Sequence, residues 1–214
     1  MPEVPFIFRH KTKRLLNLKG TVAIVGNSDQ LVAGNYGAEI DSHDIVFRFN
    51  LAPVAPQYYQ SIGKKSDYYL LSQNITTHRF PHEGDTQDLF MKICRQSKVI
   101  CYPDHEKNVL RYNKRPYFLG IEIFDINSVL QHYTGMPDIF SGNHHPRNGI
   151  KLIACLLAAG IVPDLYGFDM EARGDNSHYF DDEVQLERED GGHLPSLEFK
   201  VLNILQEKGL VRII

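Results

Sequence analysis

The sequence predicts an α/β domain built on a mostly parallel central sheet flanked by helices. Two observations carry this. Short runs rich in Val, Ile, Phe and Tyr alternate along the chain with stretches of helical period, the order expected when strands are joined by helical crossovers. The first run, Thr21 to Gly26, is continuously apolar and ends in Gly, as a strand buried on both faces does. Size and composition agree. The chain has 214 residues, 43% hydrophobic and 23% charged, and a domain of that length buries roughly 70% of its unfolded surface.

The elements follow in order. Strands are expected at Thr21–Gly26, Asp44–Phe49, Ser66–Ser72, Lys98–Tyr102 and Val162–Phe168, with Val211–Ile214 closing as an edge strand. A helix is expected after Ser28 and another over Thr86–Gln96. Glu122–Tyr133 places Ile123, Ile126, Val129 and Leu130 at helical spacing. Arg147–Ala159 reads as a deeply packed apolar helix. Pro195–Lys208 is the last helix, with Pro195 suited to its first position and Gly209 to its end. Residues 73–85 and 169–193 read as polar loops, where sites usually lie.

Composition excludes several classes. Gly and Pro are neither dominant nor periodic, against collagen and coiled coil. A net charge of −3 and the lack of an aromatic–basic patch argue against a nucleic-acid partner. Three cysteines, at 94, 101 and 155, form no disulfide framework or metal motif and suit a reducing compartment. The longest apolar run, Leu152 to Val162, is well short of the ~20 residues of a spanning helix. No signal-peptide pattern opens the chain. Residues 1–20 form a basic segment, with Arg9, His10, Lys11, Lys13, Arg14 and Lys19 among apolar residues. It reads either as a peripheral contact with anionic lipid or as a solvated helix before the first strand. Residues 21–214 then form the principal domain, and a cytoplasmic setting is expected, with that segment at the inner membrane surface.

Chemistry concentrates in a few motifs. In VAIVGNSDQL a strand runs into Gly26, Asn27 and Ser28, so backbone amides and short polar side chains converge at a strand's carboxyl end. That geometry cradles phosphate or nucleotide, or is simply a capped tight turn. Downstream come Gly37, Asp41, His43, Asp44, Arg48, Asn50 and Ala52-Pro53, then Gly63-Lys64-Lys65. Asp41, His43, Asp44 and Arg48 suit a buried Arg–carboxylate network that pins the second strand. A second block reads Asn143-His144-His145-Pro146-Arg147-Asn148-Gly149, a helix, then Tyr166-Gly167-Phe168. Two short elements follow, Ser177-His178-Tyr179-Phe180-Asp181 and His193-Leu-Pro-Ser-Leu-Glu198.

In this order the four blocks resemble the sialylmotifs of glycosyltransferase family 29, the eukaryotic-type sialyltransferases. His193 to Glu198 matches the family's HxxxxE element letter for letter. The resemblance implies a single Rossmann-like domain, a compact variant of the GT-A fold. It implies an inverting, metal-independent enzyme that needs no cofactor. The donor would be CMP–sialic acid or the related CMP–Kdo, and the acceptor a glycan or glycolipid. His193 would be the base that takes the acceptor's proton, and His178 would stabilise the charge growing on the departing phosphate. Asn27 and Asn50 would hold phosphate and ribose. Ser28, Gly149 and Gly167 would donate to the nucleotide, with His145 touching it. At Tyr166-Gly167-Phe168 the glycine would admit a flat base. Glu198 would steady the loop of His193 or lie on the helix surface. The departures are specific. The family's paired cysteines are Val22 and Gly160 here, and its Ser/Thr pair before Gly149 is Arg147-Asn148. These suggest a minimal, bacterial-type catalytic domain without an anchor. Asp169/Glu171 and Asp181/Asp182 resemble divalent-ion carboxylates. A nucleotide-binding module without catalysis is the remaining reading.

Overall fold

A computed structural model describes residues 18–50, 52–71, 97–101, 118–120, 126–137, 139–141, 144–168, 179 and 194–214, with backbone alone at 71, 98–101 and 118–120. The expected helix over 86–96, most of the loop 169–193, the two carboxylate pairs and Cys94 lie outside them.

Among the described residues, seven strands form one sheet: β1 Val22–Val25, β2 Ile45–Phe49, β3 Tyr68–Leu71, β4 Lys98–Cys101, β5 Phe118–Gly120, β6 Asp164–Tyr166 and β7 Arg212–Ile213. Their order is β5-β4-β3-β2-β1-β6-β7, and every neighbouring pair is parallel. The expected parallel α/β architecture is therefore present. Five helices accompany it: α1 Gly37–Ser42, α2 Tyr59–Ile62, α3 Ile126–Thr134, α4 Asn148–Ala158 and α5 Pro195–Glu207.

Side-chain alternation along β1 builds two cores. Val22 and Ile24 join Phe47, Phe49, Leu70 and the apolar faces of α3, α4 and α5. Ala23 and Val25 join Val46, Ile40 and Ile62 on the other face. Coverage of both faces is why the strands read as apolar runs rather than as alternating patterns. Helix α4 is buried from Ile150 through Ala158. Cys155 lies within it as a free thiol, and burial pushes that thiol up, out of the range of a reactive nucleophile.

Several elements differ from expectation. The segment after Ser28 is a 3₁₀ turn, Asp29–Ala33, capped when the Ser28 Oγ accepts from the Gln30 N–H. Strand β5 and the short helices α1 and α2 carry too few residues to show a period. His132 is on α3, within the helix expected over Glu122–Tyr133, with its ring edge-on to Tyr133.

The charged positions before and along β2 do pin that strand, but not as an Arg–carboxylate network. Arg48, 1% exposed, donates to the carbonyls of Ile62 and Lys65 and to Ser66 Oγ. Asp41 accepts from the Lys64 and Lys65 N–H groups. Asp44 accepts from the Thr21 N–H and hydroxyl, bonds that hold its carboxyl below the ordinary range. His43 places Nδ1 2.9 Å from the Glu39 carbonyl and Nε2 2.9 Å from Asp164 Oδ2. Arg212 of β7 joins Asp164 and Glu39. Burial works to raise the Asp164 carboxyl, but bonds from Arg212 and His43 outweigh it and hold the group low. This cluster fastens the amino ends of β6 and β7 to α1, at the edge of the sheet opposite the candidate site.

Candidate functional site

The strand order reverses between β1 and β6: β2 follows β1 on one side, while β6 lies on the other. In an open parallel sheet such a reversal leaves a crevice at the strands' carboxyl ends, because successive crossovers leave in opposite directions. Asn27 stands at that end of β1, Asn50 at that end of β2, and Gly167-Phe168 at that end of β6. Sequence-distant residues thus share one edge.

The edge is closely built. Gly26 N–H donates to the Tyr166 carbonyl at 2.7 Å, and a Cβ on Gly26 would lie 2.4 Å from the Gly167 carbonyl oxygen. Asn27 follows directly, and its side-chain carbonyl oxygen is buried with no hydrogen-bond partner among the described residues. Such an orphan costs about 1–3 kcal/mol, which a bound donor group would recover. Asn50 has φ 52°, a left-handed conformation that non-glycine residues rarely adopt outside sites and turns. Its N–H donates to the Leu70 carbonyl at 2.9 Å.

Gly167 has φ +69°, and the space of its missing side chain is filled by Leu31. On that side Gly167 serves the chain's own packing. At Gly149, in the first turn of α4, a Cβ would lie 2.8 Å from the Phe168 ring. Gly149 lets that ring lie on the helix, edge-on to Phe49 with centroids 6.4 Å apart. His145 is exposed on the segment leading into α4.

His178 and His193 lie outside the described residues. Their chain neighbours do not. Tyr179 N–H donates to the Asn27 carbonyl at 2.9 Å, and its hydroxyl donates to the Pro53 carbonyl at 2.8 Å. Its ring is edge-on to Tyr58, centroids 5.0 Å apart. Burial pushes its hydroxyl up, so the group stays a donor. The residue after His178 is thus fastened to the loops that carry Asn27 and Asn50. The sequence shows Tyr179 within a motif but gives it no role, because an aromatic beside a histidine signals nothing without its partners. Leu194, which follows His193, opens α5. Glu198 in the first turn of α5 is not a surface residue: it is 6% exposed and accepts from the Arg147 N–H at 2.6 Å. Among the described residues no group of three or more His, Cys, Asp or Glu could hold a metal ion, and no helix is long and apolar enough to cross a membrane.

Comparison with known proteins gives this edge a context. A family model described as glycosyltransferase family 29 (sialyltransferase) matches residues 17–111. The chain is 26% identical to CMP-N-acetylneuraminate-beta-galactosamide-alpha-2,3-sialyltransferase 1 of Pan troglodytes, over 89% of this chain and 57% of that protein. It is 27% identical to sialyltransferase-like protein 1 of Arabidopsis thaliana, over 70% of this chain and 27% of that protein. It thus spans little more than half of the first relative and about a quarter of the second. The crystal structure of a mammalian sialyltransferase superposes with TM-score 0.62 at 21% identity, covering 96% of this chain and 78% of that one. An alpha-2,3-sialyltransferase from Campylobacter jejuni superposes at 0.53 and 19% identity, covering 90% and 73%.

Proposed function

We propose that the chain is a member of glycosyltransferase family 29, the sialyltransferases, and that it transfers sialic acid from CMP–sialic acid to a glycan hydroxyl. The observation that carries the reading is the orphaned Asn27 carbonyl oxygen, buried where the strand order reverses. An amide there can accept from a ribose hydroxyl or cytosine amine and donate to a phosphate. Asn50, held in a left-handed turn one strand away, adds a second amide. The start of α4 meets this edge through Gly149 and Phe168.

The reaction is an inverting displacement. The acceptor oxygen forms a bond to the anomeric carbon as the bond to CMP breaks, and the electron pair leaves on the phosphate. His193 takes the acceptor's proton. An unperturbed imidazole is largely neutral at pH 7, as a base requires. His178 donates to the phosphate as charge grows there, and Tyr179 supports it through its bonds to Asn27 and Pro53. A monophosphate leaving group needs no diphosphate–metal clamp, so the reaction runs without metal. The absence of the family's cysteines at Val22 and Gly160 supports a reducing, cytoplasmic setting.

The test is CMP release in the presence of a galactoside acceptor, with CMP–sialic acid and CMP–Kdo supplied separately. Release from CMP–sialic acid, undiminished in excess EDTA, is expected. Release from CMP–Kdo alone would reassign the donor. Loss in EDTA restored by Mg²⁺ or Mn²⁺ would overturn the metal-independent step, and no release from either would leave a binding module. A separate expectation concerns Gly149→Ala. The new methyl must displace the Phe168 ring, while alanine favours the helix by about 1 kcal/mol. The protein should fold with little change in Tm but bind CMP more weakly in a calorimetric titration. Unchanged CMP affinity would detach Phe168 from the site.

A further inference from the structure

We propose that His43 is a structural imidazolium, protonated on both ring nitrogens in the folded chain at neutral pH, and that it clamps α1 to β6 across β1 as a proton-dependent tie. The inference is independent of the transfer reading, because His43 lies at the edge of the sheet opposite the candidate site. Each of its nitrogens faces an acceptor. Nδ1 lies 2.9 Å from the Glu39 carbonyl oxygen. A carbonyl accepts and cannot donate, so Nδ1 carries a proton. Nε2 lies 2.9 Å from Asp164 Oδ2. That carboxylate is gripped by the Arg212 fork, Nε to Oδ1 at 3.0 Å and a terminal nitrogen to Oδ2 at 2.5 Å. Accepting from a guanidinium on both oxygens keeps the group ionised, so Nε2 carries a proton as well. A neutral ring, in either tautomer, would set one lone pair against an acceptor.

The surroundings suit a charge. His43 is 5% exposed, and two carboxylates, Asp164 and Glu39, balance two cations, His43 and Arg212. Arg212 completes the set through Glu39 Oε1 at 3.1 Å. Balance of this kind is what lets a buried charge persist. Three other polar groups face the residue. The Asp44 carboxylate is held by the Thr21 N–H and hydroxyl. Lys65 Nζ donates to the backbone carbonyls of His43 and Asp44. The Tyr166 ring stands T-shaped to the imidazole, centroids 5.8 Å apart.

The tie crosses the sheet. His43 leads into β2 and Asp164 opens β6, while β1 lies between those strands. The bond therefore spans the foot of the strand whose other end carries Asn27. It also depends on a proton. An ordinary imidazole has lost most of its proton by about pH 7.5. The unfolded chain gives that proton up, whereas the folded chain keeps it. Folding then takes up one proton, and stability falls as pH rises. Loss of the proton in alkali leaves the ring one donor for two acceptors, and α1 parts from β6.

The experiment is a ¹⁵N–¹H correlation of the histidine rings of the full chain at about pH 7.5, with His43→Phe and Asp164→Asn as comparisons. The chain has ten histidines, and the His43→Phe spectrum identifies the signal that belongs to His43. Both nitrogens of that ring are expected to carry protons. In Asp164→Asn, where an amide replaces the ionised acceptor, one nitrogen is expected to be bare. Urea unfolding from about pH 6.5 to 8 gives the second readout. The folding equilibrium of wild type relative to His43→Phe should fall by up to about tenfold per pH unit, the slope of one proton. If His43→Phe does not fold, assignment through the residue's own backbone and the Asp164→Asn spectrum decide. A bare nitrogen on wild-type His43 at this pH overturns the proposal. So does a ring still doubly protonated in Asp164→Asn, or a relative stability that does not change with pH.

Discussion

Transfer by His193→Ala is expected to fall by about 10²–10⁴-fold, the usual contribution of a positioned general base, while CMP still binds. The acceptor hydroxyl is a poor nucleophile until its proton has somewhere to go, and an imidazole near neutral pH is well matched to receive it. The residue after His193 is Leu194, whose carbonyl accepts from the Leu197 and Glu198 N–H groups as α5 begins. The base would therefore stand on the entry to a 13-residue helix whose first turn is tied to α4. The split between rate and affinity is the informative part. A base acts on the acceptor and leaves CMP contacts untouched, so steady-state transfer and a CMP titration are measured on the same sample. Transfer at the wild-type rate would remove His193 from the mechanism.

Arg48→Met is expected to cost about 3–5 kcal/mol of stability, because several buried acceptors lose their donor together. The guanidinium donates to the Ile62 carbonyl at 2.7 Å, to Ser66 Oγ at 2.8 Å and to the Lys65 carbonyl at 2.9 Å. Methionine fills comparable space and donates nothing. At this chain length the loss amounts to a fall in Tm of roughly 6–20 °C. Arg48→Lys keeps the charge but not the planar fork, so it should fall between the two. Because Arg48 lies two residues before Asn50, the loss also loosens the left-handed turn at the site. Thermal unfolding of the three proteins checks this. A Tm for Arg48→Met within about 2 °C of wild type would mean that these acceptors find other partners and that Arg48 does not pin β2.

Much of this architecture was legible in the residues themselves. Strands β1, β2 and β6 announce themselves as apolar runs because both of their faces are covered, and α4 because burial on nearly all sides leaves little room for polar residues. Proline at the start and glycine beyond the end bracket α5 within a residue. Asn27, Asn50, Gly149, Gly167 and Phe168 could be grouped because their motifs end strands or open helices, and a parallel sheet gathers strand ends on one edge. What escaped depends on contacts that no local pattern encodes. Strand β5 spans three residues, too short for a period. Arg48 was matched to carboxylates by charge, whereas buried guanidinium groups are equally well satisfied by backbone carbonyls, which composition never reveals. Tyr179 and the Arg147–Glu198 tie join residues far apart in the chain, and spacing alone cannot find them.

The most direct measurement is a CMP titration followed by backbone amide resonances, on wild type and Asn27→Ala. Saturable shifts should gather at residues 27, 50, 149 and 167, and the alanine variant should bind at least about tenfold more weakly, as loss of a hydrogen bond to a charged group implies. Shifts gathering instead around His43, Asp164 and Arg212 at the opposite edge, or equal binding by Asn27→Ala, would contradict the placement of the donor at the β1–β6 crevice.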